Sequence, residues 1–76
     1  MIPLEKEPVE VSVVIPVYNE EESLPALFER LFPVMESLGV NWEVLFVNDG
    51  SRDHSLGLLL DSVDRYRGSV RVVDFN

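Results

Sequence analysis

A three-stranded parallel α/β unit in the order βαβαβ is predicted by three observations. Two short apolar runs, at residues 11–17 and 44–47, each close on a polar turn. A helical apolar period follows each run, and a third strand-like run occupies residues 70–75.

Residues 1–10, with two prolines and four charged side chains, show no sustained period and read as a flexible lead-in to a single unit at 11–76. The run Val-Ser-Val-Val-Ile-Pro-Val places apolar residues on both alternating faces, as a parallel strand covered by helices requires. Leu24, Leu27, Phe28, Leu31, Phe32, Met35 and Leu38 follow at i, i+3, i+4 spacing and predict an amphipathic helix. Asn19 or Ser23 is available to cap it, Pro25 suits an early turn, and Gly39 ends it. Pro33 falls inside the pattern, so a kink or short break is expected. After the second strand, Ser51 or Asp53 can cap a second helix with the apolar face Leu56, Leu59, Leu60, Val63 and Tyr66, weakened slightly by Gly57. The third run has mixed polarity, which suits an edge strand. Right-handed crossovers make the sheet parallel, cover its faces with helices, and gather the carboxyl ends of the strands on one rim. This is half of a nucleotide-binding α/β fold.

Composition narrows the function. At 76 residues, 46% apolar and without low-complexity tracts, the chain reads as one small globular unit. Units of this size bury only about 60% of their unfolded surface, so stability is marginal. Six basic residues against fourteen acidic ones give a net charge of −8, which repels phosphate backbones and argues against nucleic acid as a partner. Without cysteine there is neither a disulfide nor a thiolate zinc site. No apolar stretch reaches the roughly 20 residues of a membrane span, and the charged start is unlike a signal peptide, so a soluble, cytoplasmic chain is expected.

Neither Gly-x-Gly-x-x-Gly nor Gly-x-x-x-x-Gly-Lys occurs, which disfavours dinucleotide oxidoreductases and phosphate-loop ATPases. The first strand closes instead on Pro16, Tyr18, Asn19 and Glu20, groups suited to a ribose or a base edge. A base can pack beside Tyr18 while Asp49 accepts from a ring N–H. Taken singly, Tyr18 reads equally well as packing at a strand end, and Asp49-Gly50-Ser51 as a turn with a helix cap. Glu21 and Glu22 read as a solvated first helical turn.

With both stretches at carboxyl ends of strands separated by one helix, the chain resembles the family 2 glycosyltransferases of the GT-A fold. The resemblance is carried by Val-Val-Ile-Pro-Val-Tyr-Asn-Glu at 13–20 and Val-Asn-Asp-Gly-Ser-Arg-Asp at 47–53, with the spacing between them. Within that family it is most similar to the polyprenyl-phosphate sugar transferases, the group that includes dolichol-phosphate mannose synthase and bacterial undecaprenyl-phosphate glycosyltransferases. The resemblance implies the N-terminal nucleotide-binding part of a GT-A (Rossmann-like) domain. It also implies an inverting transferase of lipid-linked glycan or cell-wall biosynthesis, using a nucleotide-sugar donor and a polyprenyl phosphate acceptor at the cytoplasmic face of a membrane. Pro16, Tyr18 and Glu20 would line the nucleoside pocket, and Asp49 would bind the base.

A divalent metal, Mg²⁺ or Mn²⁺, is implied as well. In the family it is held by an Asp-x-Asp motif beyond the third strand, and the catalytic base lies further on. Neither occurs in these 76 residues, so no catalytic or metal-ligating residue is assigned, and the isolated chain is expected not to transfer sugar. Asp74 and Asn76 have the spacing of a metal motif but read as the end of strand three. Uncovered sheet edges and apolar faces lead to the expectation of self-association. The alternative reading is a non-enzymatic α/β interaction module of receiver-like or flavodoxin-like type. A first strand closing on Pro-Val-Tyr-Asn fits neither the acidic pair of the one nor the phosphate loop of the other.

Overall fold

A computed structural model describes residues 8–75. Its elements follow the predicted order: β1 (Val11–Val17), α1 (Leu24–Ser37), β2 (Trp42–Asp49), α2 (Ser55–Arg65) and β3 (Val70–Phe75). The strands form one parallel sheet in the order β1-β2-β3, with β2 in the centre. Of the expected lead-in, residues 1–7 lie outside the described residues. Glu10 donates its N–H to the Asn41 carbonyl, and the Asn41 amide donates to the Pro8 carbonyl.

Strand β2 is longer than its apolar run because β1 pairs with it from Val11↔Trp42 to Val17↔Asn48. That pairing draws in Trp42, Glu43, Asn48 and Asp49, which apolarity alone does not mark as strand. Helix α1 runs unbroken from Leu24 to Ser37 with Pro33 inside it, so the expected break is absent. Packing of the flanking Phe32 and Met35 into the core holds the helix through the missing N–H. Gly39 follows the end of α1 at φ +71°, in the left-handed region that stops a helix.

The helix caps differ from expectation. Ser23 stands at the N-terminus of α1, but its hydroxyl donates to the Glu20 carboxylate at 2.6 Å instead of accepting from a helix N–H. Asn19 lies further off, at φ +51°. His54, not Ser51 or Asp53, occupies the capping position of α2 and makes no capping bond, whereas Asp53 reaches past it to accept the Ser55 N–H at 2.9 Å.

The largest correction concerns the faces of the sheet. A sequential strand order with crossovers of one hand puts both helices on the same side. The core accordingly joins Val17, Val44, Phe46 and Val70 of the sheet to Leu24, Phe32 and Met35 of α1 and Leu59 of α2. Phe28 of α1 meets the Phe46 edge at 5.7 Å, and Tyr66 at the end of α2 stacks on Phe32 with ring centroids 4.1 Å apart and meets Trp42 at 6.2 Å, so aromatic contacts tie both helices to β2. The opposite face is bare. Register places Val14, Leu45 and Arg71 in one row across it and Pro16, Val47 and Val73 in the next, with Val14 60% exposed. Apolar residues on both faces of β1 thus do not mean helices on both faces within these residues.

Both outer strands are edges. The Val11 N–H bonds Asn41 beside β2, so alternation turns the donors of Ser12 and Val14 to the free edge, where Pro16 has none. Proline on an edge strand removes a rung that another strand could use.

Candidate functional site

The carboxyl ends of the three strands meet at one rim, and the loops that leave β1 and β2 interlock there. Asn19 donates its N–H to Ser51 Oγ at 2.9 Å, and its own side-chain oxygen accepts the Arg52 N–H at 2.7 Å. Glu20 donates its N–H to Ser55 Oγ at 2.8 Å. Glu21 donates its N–H to Asp53 Oδ2 at 3.1 Å, while Glu21 Oε1 accepts the His54 N–H at 3.2 Å. Side chains from each loop therefore satisfy backbone donors of the other, and the positive φ of Asn19 is what turns its neighbours toward Ser51. Burial pushes the Asp53 carboxyl up, but hydrogen bonds from Ser55 and Glu21 outweigh it, leaving the group below its ordinary value of 3.8.

The four residues singled out by sequence fall unevenly on this rim. Pro16 and Asp49 lie on the bare face, because Val17 and Asn48 between them in register turn into the core, each 2% exposed. Tyr18 stands free at 58% exposure, directly after the last β1–β2 pair. The structure thus brings Pro16 and Asp49 to one end of one face, with Tyr18 in the bend that directly follows β1. Glu20 is in the same loop, but its carboxylate is taken by the Ser23 hydroxyl at the start of α1. Asn48 is not a rim group as its sequence position suggests: it is buried and donates to the Asp74 carboxylate at 2.9 Å, with its Oδ1 buried and unpartnered among the described residues. Glu21 is likewise no part of a solvated helical turn, since it holds the second loop. Sequence reading missed Asn19, Ser51, Asp53 and Ser55 as clamp residues; the alternation Ser-x-Asp-x-Ser at 51–55 was the available signal.

Two concavities flank this architecture. A groove of about 510 Å³ runs between α1 and α2 over Phe28, Phe32, Leu58 and Tyr66. It is the outer seam of two helices and holds none of the rim groups. A smaller hollow of about 340 Å³ lies at the first loop, walled by Asn19, Glu20, Glu21 and Asp53. It does not suit the divalent cation that the resemblance implies: three of its four carboxylates, those of Glu20, Glu21 and Asp53, already accept hydrogen bonds, which leaves Glu22. Nor do three or more His, Cys, Asp or Glu side chains converge as metal ligands among the described residues.

The family model for glycosyl transferase family 2 matches residues 12–76. The chain belongs to glycosyl transferase family 2. It is 56% identical over 52 residues to an undecaprenyl-phosphate 4-deoxy-4-formamido-L-arabinose transferase of Pectobacterium atrosepticum, a match covering 68% of this chain and 16% of that protein. It is 58% identical over 50 residues to the transferase of the same name from Salmonella paratyphi B, covering 66% and 15%. This family 2 chain therefore spans about one sixth of the length of the curated relatives it matches. The βαβαβ unit is the N-terminal part of the family's Rossmann-like domain. The family generally uses a divalent metal, for which the residues described here form no site. No helix among them is long and apolar enough to cross a membrane.

Proposed function

We propose that this chain holds the nucleoside of a nucleotide-sugar donor, as the N-terminal portion of an inverting glycosyltransferase whose acceptor is a polyprenyl phosphate. The observation that supports the reading is the interlocked rim, in which Asn19, the residue after Tyr18, is bonded to Ser51 and Arg52, just beyond Asp49, at the carboxyl end of the sheet, where open α/β folds bind ligands. Tyr18 offers a ring face to the base, Asp49 an acceptor for a ring N–H, and Pro16 an apolar wall beneath them. Glu20, held by Ser23, lines the approach from the first loop. The names of the relatives supply the acceptor class. In the transfer, an acceptor phosphate oxygen bonds to the anomeric carbon as the bond from that carbon to the nucleoside diphosphate breaks, with inversion. The groups that carry out this displacement are not among the residues named here, and the isolated chain binds without turning over. A cytoplasmic setting, at the membrane face where a lipid-linked acceptor is met, goes with this reading.

Titration of the isotopically labelled chain with UDP and GDP, in the presence of Mg²⁺, tests the proposal by nuclear magnetic resonance. Shifts centred on Pro16, Tyr18 and Asp49 are expected. Shifts confined to the groove between the helices, or none with either nucleotide, would remove the nucleoside role.

The bare sheet face supports a second property of the isolated chain. Val14, Leu45, Val47 and Val73 form an apolar strip that nothing among the described residues covers. Two copies that stack these strips remove them from water, and self-association through this face is the arrangement proposed.

A further inference from the structure

Seven aromatic residues occur in this chain, and five of them, Phe28, Phe32, Trp42, Phe46 and Tyr66, belong to the core cluster. The other two, Tyr18 and Phe75, are each 58% exposed. Both stand at the carboxyl end of the sheet, on either side of Asp49. Asp49 pairs directly with Phe75 across the β2–β3 ladder, and Tyr18 follows the last β1–β2 pair, Val17↔Asn48, on the other side. Alternation carries Phe75 to the same bare face as Val73 and Asp49, because Val70 and Val72 turn toward the core. Gly50, at φ +77°, bends the chain away immediately after Asp49, and even an added Cβ there would meet nothing closer than the Phe75 carbonyl oxygen at 3.9 Å.

We infer that Phe75 is a second base-stacking residue, so that the nucleobase of the donor is held between Tyr18 and Phe75 while Asp49 reads its edge. With strands about 4.8 Å apart, the two aromatic residues are rooted about 10 Å from each other, and small inward leans bring their rings to the two faces of one planar base. Two hydrophobic rings exposed at a polar rim are otherwise unfavourable, and both faces of a base are apolar. Stacking is indifferent to base identity, whereas a carboxylate between the rings selects a base that presents a ring N–H donor. The assignment rests on the nucleoside reading of Tyr18 and Asp49.

The test is UDP and GDP titration of the 76-residue chain and of its Phe75→Ala, Phe75→Leu and Phe75→Trp variants, followed by amide shifts and by the ring protons of Phe75. Upfield movement of the Phe75 ring signals on binding is expected. Affinity should fall about tenfold in Phe75→Ala and similarly in Phe75→Leu, which keeps apolar bulk without a ring, and be retained in Phe75→Trp. Tyr18 and Asp49 shifts with a silent Phe75 ring and unchanged Phe75→Ala affinity overturn the sandwich and leave the nucleoside reading standing. Equal affinity of Phe75→Leu and wild type reduces Phe75 to an apolar wall and also overturns it. Absence of shifts at Tyr18 and Asp49 overturns both.

Discussion

Asp53 and Glu21 fasten the two loops of the rim together: Asp53 Oδ2 accepts the Glu21 N–H at 3.1 Å while Asp53 Oδ1 accepts the Ser55 N–H at 2.9 Å. One carboxylate thus fixes the loop after β1 to the first residue of α2. Replacing it with alanine leaves two backbone donors without their partner, and asparagine recovers only one, since its amide nitrogen faces a donor. Melting temperature is expected to fall in the order wild type, Asp53→Asn, Asp53→Ala, by thermal unfolding followed with circular dichroism.

The same group sets an acid limit. Its carboxyl titrates lower in the folded chain than its ordinary value of 3.8, so the folded state binds fewer protons there than the unfolded one. The stabilisation is complete above 3.8 and is lost as pH falls through the lower folded value. Denaturation of wild type and Asp53→Ala at pH 7 and at about pH 3 checks this: the gap between them should narrow at the acid end. A gap that widens on acidification would contradict the sign.

Phe46 is fully buried at the centre of the sheet, against Phe28. Phe46→Ala removes its ring from the core and costs about 3–5 kcal/mol, comparable with the roughly 5 kcal/mol of a marginal small domain. Urea unfolding is expected to show a chain largely unfolded before denaturant is added.

Tyr18 and Asp49 are exposed, so their substitution separates binding from folding. Tyr18→Ala and Asp49→Asn are each expected to weaken UDP or GDP binding about tenfold or more by calorimetry, with urea midpoints close to wild type.

Val14 sits in the middle of the bare face, 60% exposed. Val14→Lys puts a charge into the apolar strip and is expected to shift sedimentation toward the monomer at high concentration, with little change in stability. Equal sedimentation of the two proteins, or a wild type that is monomeric throughout, would rule out association through this face.

The order of elements was legible because each has a period of its own. The apolar series from Leu24 to Leu38 has helical spacing, Gly39 marks its end, and β1 was readable to the residue from its β-branched run. The ends of β2 were not, because Trp42 and Asn48 are fixed in the strand by pairing with Val11 and Val17, a constraint held by residues some thirty positions away. The two-sided apolarity of β1 says that each face can be covered, not that both are. At the rim, Pro16, Tyr18, Glu20 and Asp49 were singled out as candidates only through the pairing of two stretches. The clamp was hidden because Ser, Asp and Asn before a helix ordinarily cap it, and here Asn19, Ser51 and Ser55 serve the opposite loop instead.

The bonds between the loops join residues 32 to 35 positions apart in the chain, with a passage that holds all of α1 and β2 between their ends. The entropy of closing that passage grows only slowly with its length and is spent once, by the pairing of β1 with β2, after which every bond of the clamp closes a short local gap. The clamp therefore costs little chain entropy beyond the sheet pairing it rests on. A nascent chain that has emerged only as far as Arg52 carries the first recognisable stretch and all but the last residue of the second, yet lacks Asp53 and Ser55, which finish the fastening. On the proposed nucleoside reading, donor nucleotide would serve as a reagent that distinguishes the unit with its clamp closed from forms in which the two loops are still apart.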